Sequence, residues 1–148
     1  MQLRLQSIFL ASFFGFLFPN SALACDCEPL ALVHEALTAS THVFSGKVIK
    51  QKEYKAPGVH QSYSERKYTF LIDKLWKGPK QKQITVRFPV KTEHCGLELA
   101  LGKSYLVYAI GNPVPLSDAC SRSIALDNKA SKYDLRKLGK FTKIADPE

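Results

Sequence analysis

Gln83-Ile84-Thr85-Val86-Arg87-Phe88 alternates polar and apolar residues one for one and runs into Pro89. A period of two marks a strand with one buried face, because successive side chains on a strand point to opposite sides of its sheet. Pro89 cannot donate to a ladder, so it limits the strand or places its end at an edge. Just upstream, Tyr68, Phe70 and Ile72 alternate with Lys67, Thr69 and Leu71 in a run from Tyr63 to Trp76, and Trp76-Lys77-Gly78-Pro79 supplies the turn that makes the two runs a hairpin. Before them, Val43, Phe44, Val48 and Ile49 read as a strand ending near Glu53, with Gly46 as a bulge or bend and the loop from Lys55 to His60 behind it.

Downstream, Leu97 to Leu101 is an apolar patch, and the turn at Gly102-Lys103 launches a buried strand from Ser104 to Ile110 that Gly111-Asn112-Pro113 ends. A fifth, short strand is expected around Ser121 to Ile124. Pro29 suits a first helical turn, and Leu30, Val33, His34 and Leu37 recur at helical spacing, which predicts a helix from Pro29 to Ala39. Asp127-Asn128 and Gly139 bracket a last helix bearing Tyr133, Leu135 and Leu138. Five short strands with a helix at each end predict a mainly β fold, a five-stranded closed barrel of the oligonucleotide/oligosaccharide-binding (OB-fold) type, because closure removes exposed edges.

The chain has 148 residues, 45% of them apolar and 23% charged, which suits one globular domain and argues against disorder. Its first segment has one positive charge at Arg4, an apolar run from Ile8 to Phe18, a break at Pro19-Asn20-Ser21 and Ala22-Leu23-Ala24 ahead of Cys25. The run is about half the roughly 20 residues a spanning helix needs, so residues 1–24 read as a secretory signal peptide with a small-x-small cleavage site. The mature chain expected is a single domain from Cys25 to Glu148, 124 residues, with a tail loose after about residue 142. A secreted or periplasmic location follows. Lipid attachment at Cys25 is the less favoured alternative, since Ala22 stands where lipidated signals more usually carry leucine.

All four cysteines, Cys25, Cys27, Cys95 and Cys120, lie in the mature part, and an even number in an exported chain reads as two disulfides. Cys25 and Cys27 share one side of an extended segment, and a bond between them would close a tight, strained ring. Two long-range pairings are left.

The run Cys25-Asp26-Cys27-Glu28-Pro29, followed by a helix, Val43-Phe44-Ser45-Gly46-Lys47-Val48, Trp76-Lys77-Gly78, Cys95-Gly96, Gly102-Lys103-Ser104-Tyr105-Leu106-Val107 and Cys120-Ser121-Arg122, resembles the tissue inhibitor of metalloproteinases family, above all its short bacterial members. The resemblance spans nearly all of the mature chain. It implies a netrin-like barrel with bonds Cys25 to Cys95 and Cys27 to Cys120, closing loops of about 71 and 94 residues worth roughly 4 to 5 kcal/mol each in the chain-entropy account. It also implies a secreted inhibitor of a zinc metalloprotease in which the α-amine and carbonyl oxygen of Cys25 chelate the protease zinc. The amine, with a pKa of about 8, has a neutral fraction at pH 7 and would help to displace the zinc-bound water that attacks substrate. Asp26 would enter the main specificity pocket, and Cys27, Glu28, Pro29, Glu93 and His94 would make further contacts. The animal members usually carry Thr or Ser at the position of Asp26. A carboxylate there is desolvated beside the protease's own glutamate, so targets with a polar or basic pocket are favoured.

The competing expectation is a non-inhibitory netrin-like module that binds an anionic envelope or matrix surface. Lys+Arg of 21 against Asp+Glu of 13 gives a net charge of +8. Lys47, Lys50, Lys52, Lys55, Arg66, Lys67, Lys74, Lys77, Lys80 and Lys82 cluster around the first hairpins with Tyr54, Tyr63, Tyr68 and Trp76 among them. Export argues against nucleic acid as the partner. His34, His42, His60 and His94 have no metal-ligand spacing, no nucleophile-base arrangement can be assembled, and disulfide-bonded cysteines are not nucleophiles, so a non-enzymatic monomer with no cofactor and no metal of its own is expected. The intact mass of the natively exported protein is expected to match Cys25 to Glu148 without acyl groups and to rise by about 4 Da on reduction.

Overall fold

The computed structural model describes residues 27, 29–54, 64–90 and 95–144. In chain order these form α1 (Val33–Ala39), β1 (His42–Tyr54), β2 (Glu65–Lys77), β3 (Gln83–Pro89), β4 (Ser104–Ala109), β5 (Ile124–Ala125), α2 (Ser131–Leu138) and β6 (Thr142–Lys143). One antiparallel sheet holds all six strands in the order β3-β2-β1-β4-β5, with β6 pairing with β2. The fold is mainly β, as expected. The ladder itself runs open from β3 to β5, and outside it single-residue bridges join Leu116 to Arg87 of β3 and to Ile110 just past β4.

The alternation in β2 and β3 has its expected consequence: Tyr68, Phe70, Ile72, Ile84, Val86 and Phe88 are buried while their neighbours on the other face are partly exposed. Phe44 and Phe70 meet edge to face at 5.3 Å, and Tyr68 and Phe88 at 5.6 Å, so the aromatic rings of β1, β2 and β3 form one packed row. Val107 and Tyr105 of β4, Leu99 of the preceding loop and Ile144 complete this core. Each large apolar side chain so buried contributes about 1.5–3 kcal/mol.

β1 and β4 lack a clean alternation because their sheet region is covered twice. Phe44, Val107 and Ala109 face the main core, whereas Val43, Leu106 and Tyr108 face a second cluster made with Val33 and Ala36 of α1 and Leu138 of α2. A strand buried on both faces has no polar side to show, which is why Tyr105-Leu106-Val107-Tyr108 reads as a continuous apolar run.

The remaining differences from the sequence expectation have local causes. The first helix starts at Val33 rather than Pro29: Leu32 is extended, its N–H is taken by the Glu35 carboxylate at 2.8 Å, and the Ala31 carbonyl before it accepts a hydrogen bond from Arg122. The strand expected near Ser121 to Ile124 is confined to Ile124–Ala125, because residues 117–123 form a turn built on serine hydroxyls. Thr142 and Lys143 pair with Leu75 and Lys74, and the Ile144 N–H donates to Asp73 at 2.9 Å, so the chain is anchored through residue 144, beyond the expected start of the loose tail.

Gly46 sits at a register shift between β1 and β2, as the bulge reading expects. A Cβ on Gly46 would lie 2.7 Å from the Leu71 carbonyl oxygen, a backbone atom that cannot move aside without breaking the β1–β2 ladder. Gly46→Ala is therefore expected to destabilise the protein by about 1–3 kcal/mol in urea unfolding followed by circular dichroism.

Candidate functional site

The chain before α1 and the turn between β4 and β5 meet where Cys27 is bonded to Cys120, with a Cα–Cα distance of 5.2 Å. Of the two expected bridges it is the one with both ends on described residues, and it spans 93 positions. Cys95 is also disulfide-bonded. Of the expected contact residues, Pro29 is exposed beside Cys27, whereas Cys25, Asp26, Glu28, Glu93 and His94 lie outside the described residues, as does the Cys25 end of the second expected bridge.

Two residues beyond the bridge, Arg122 sits in the left-handed region with φ 69°. Its guanidinium is the hub of this end of the molecule. Nε and one terminal nitrogen donate to the two Asp134 oxygens of α2 at 3.0 and 2.5 Å, and the other terminal nitrogen donates to the Ala31 carbonyl at 2.7 Å. The Tyr108 hydroxyl of β4 donates to the same carboxylate at 3.3 Å. The fork geometry of Arg suits this bidentate pairing, which a lysine could not reproduce. The Asp134 hydrogen bonds raise the Arg122 pKa further, and burial, followed by the Asp134 charge, raises that of the Tyr108 phenol. Both groups stay protonated throughout the physiological range.

A triangle of hydroxyls fixes the turn that carries Cys120. Ser117 Oγ lies 2.8 Å from Ser121 Oγ and 2.7 Å from Ser123 Oγ; Ser121 donates to the Asp118 carbonyl at 2.7 Å, and Ser123 accepts the Tyr108 N–H at 2.9 Å. Hydrogen bonds inside the turn thus tie it to β4 and leave no polar atom unsatisfied among the described buried side chains. On the α1 side, Thr41 Oγ1 lies within 3.2 Å of the Ala109 and Gly111 carbonyls and 2.8 Å from His42 Nδ1. A hydroxyl has one proton, so Nδ1 acts as donor when Thr41 donates to a carbonyl. Burial lowers the His42 pKa, which favours the neutral ring.

Around these anchors lies an apolar rim. Leu30, Leu32 and Ile110 are 42%, 56% and 54% exposed, and a groove of about 190 Å³ runs between Ala36, Ala39, Ile110, Cys120 and Arg122. Together they offer an apolar surface next to the Cys27–Cys120 bond. Among the described residues, no three His, Cys, Asp or Glu side chains gather to hold a metal ion, and no helix is long and apolar enough to cross a membrane.

The hairpin basic cluster is less uniform than the sequence implies. Tyr68 is buried, Trp76 Nε1 donates to the Gly139 carbonyl at 3.2 Å, Arg66 is paired with Glu53 and Glu98, and Lys77 Nζ caps the end of α1 by donating to the Leu37 and Thr38 carbonyls at 2.9 and 2.8 Å. Lys55 and Tyr63 lie outside the described residues. No protein-family model matches the chain, and no curated protein matches its sequence.

Arg122, Asp134, Tyr108 and the serine triangle were not singled out as site residues by the sequence. Their side chains are brought together from β4, a turn and α2, and the only local signal was Cys120-Ser121-Arg122 itself. Asp134→Ala would leave the Arg122 guanidinium buried without its counter-charge, and is expected to lose about 3–5 kcal/mol in urea unfolding. The double variant Asp134→Ala/Arg122→Met, which buries no unpaired charge, is expected to lose less than the single one.

Proposed function

We propose that the chain is an exported, netrin-like inhibitor of a zinc metalloprotease that presents the amine and carbonyl oxygen of Cys25 to the protease zinc. One observation carries this reading: the backbone is held from Cys27 onward by the bond to Cys120 and by the Arg122 hydrogen bond to the Ala31 carbonyl. A covalent anchor close to a chain terminus reduces the freedom that the terminus loses on binding, and preorganisation of this kind favours a tight ligand. With Cys27 and Cys120 joined to each other and Cys95 oxidised, Cys25 is the remaining cysteine of the four, which supports a second bridge from Cys25 to Cys95. That bridge would clamp the chelating residue itself.

The rim of Leu30, Leu32 and Ile110 supplies apolar contact area beside the inserted terminus, the arrangement expected of an interface in which a buried anchor is surrounded by groups that exclude water. The closed OB-type barrel belongs to the same proposal. Its support is Leu116, whose flanking backbone bonds β3 through Pro115 O to Arg87 N at 2.8 Å and Ser117 N to Arg87 O at 2.9 Å, while Leu116 itself exchanges two 2.9 Å bonds with Ile110. This segment links the two sides of the main ladder.

The test is inhibition of a panel of zinc proteases by the exported protein. Proteases with polar or basic main pockets are expected to be inhibited most strongly, because Asp26 is then paired on burial. One alanine added before Cys25 is expected to weaken inhibition by at least roughly 100-fold at unchanged melting temperature, since it moves the amine off the zinc. Undiminished inhibition with the added residue overturns the chelation mechanism. Asp26→Thr is expected to strengthen inhibition of proteases with apolar pockets by roughly tenfold or more, as a desolvated charge is removed.

A further inference from the structure

The outward face of β1, β2 and β3 carries like charges in register. Lys52 stands opposite Lys67, and Lys67 opposite Arg87, so three cations cross three strands in a single row. Neighbouring strands are about 4.8 Å apart, which makes the row roughly 10 Å long. In the next row on the same face, Lys50 stands opposite Thr69 and Thr69 opposite Thr85, with the two threonine hydroxyls 3.0 Å apart. Like charges placed directly opposite each other destabilise a sheet, so this row weakens the fold that carries it.

Only part of that repulsion is relieved within the protein. Arg87 is paired with the buried Glu65 at 3.2 Å, and the Lys67 ammonium lies over the Tyr54 ring, 3.6 Å from its centroid. Lys50 and Lys52 are exposed, and no carboxylate among the described residues is within ion-pair distance of Lys50, Lys52 or Lys67. Among the described residues, four cations against one carboxylate leave an excess of three on this polar patch.

We propose that this face binds an anionic polysaccharide, an extended chain whose sulfate or carboxylate groups lie along Lys52, Lys67 and Arg87 while its hydroxyls meet Thr69 and Thr85. The chemistry of the face selects this class among polyanions. Single-stranded nucleic acid is held by bases stacked on open aromatic rings, but here Tyr68 is buried and the face of Tyr54 is taken by Lys67. Peripheral binding to a bilayer couples cations to apolar side chains that enter the interface, whereas both rows consist of lysine, arginine and threonine. The proposal does not depend on the inhibitor reading, because none of its residues belongs to the Cys27–Arg122 end.

A heparin-derived decasaccharide, labelled for fluorescence anisotropy, is the probe, used with the exported full chain at several salt concentrations. The Lys50→Gln/Lys52→Gln/Lys67→Gln variant is expected to lose roughly tenfold or more in affinity near 0.1 M salt and to show a shallower salt dependence. The equally charged control Lys129→Gln/Lys132→Gln/Lys140→Gln is expected to lose less than about threefold. Lys52→Glu sets opposite charges across the strands, so it is expected to raise the melting temperature by about 1–4 °C while weakening binding, a combination that unfolding cannot produce. Equal losses in the row and control variants, or tighter binding to a single-stranded oligonucleotide or to phosphatidylglycerol vesicles than to the decasaccharide, overturn the proposal.

Discussion

The contact between Arg122 and Asp134 organises the end of the molecule on which the proposed inhibition depends. One guanidinium ties the turn after Cys120 to α2 and to the carbonyl of Ala31, and Tyr108 brings β4 to the same carboxylate. Both side chains are largely withdrawn from water, at 13% and 5% exposure, so much of their mutual attraction offsets desolvation. What the pair adds is definition. Four polar contacts with fixed directions admit one arrangement of turn, helix and incoming chain, where an apolar contact would admit several. The Cys27–Cys120 bond acts on the same segment in a different way, by removing conformations of the unfolded chain.

From this hub the rest of the architecture follows by burial. β1 and β4 are sandwiched between the aromatic core and the two helices, so α1 and α2 are required where they are: without them Val43, Leu106 and Tyr108 would face water. Among the described residues, no helix covers the outer side of β2, β3 and the second half of β1. Charged and hydroxyl side chains occupy most of it, and the sheet tolerates cations in register there because Lys50 and Lys52 reach water, Lys67 lies over the Tyr54 ring and Arg87 pairs with Glu65. The same sheet therefore offers two chemically different surfaces, one apolar and beside the Cys27–Cys120 bond, the other cationic.

Much of the fold was legible in the chain. Strict alternation disclosed β2 and β3 because half-burial leaves a period-two trace, and Gly46 marked the bulge because only a residue without Cβ fits 2.7 Å from a carbonyl. The apolar spacing is helical from Leu30 onward, but α1 starts only at Val33, because Leu32 is extended and the Ala31 carbonyl is held by Arg122. β6 was missed because two residues carry no period. At the candidate site the cysteines were legible as residue types, and the Cys27–Cys120 pairing followed from the family resemblance. Arg122 and Asp134 were not, since 12 positions separate them and nothing local distinguishes either from a solvated surface charge.

The basic cluster shows the same division most clearly. Its existence is a property of composition, set by where lysines occur along β1 and β2. Its meaning depended on register. Pairing strands at one particular offset put Lys52, Lys67 and Arg87 in one row, turned Arg66 toward Glu53 and Glu98, and sank Tyr68 into the core. A shift of a single residue would have exchanged those faces. Local pattern thus determined which segments are strands and which residues could be oxidised in pairs, because period and residue type are written along the chain. Which charges meet, which are buried and which stand unanswered was decided by the tertiary structure alone, because those are distances between residues far apart in sequence.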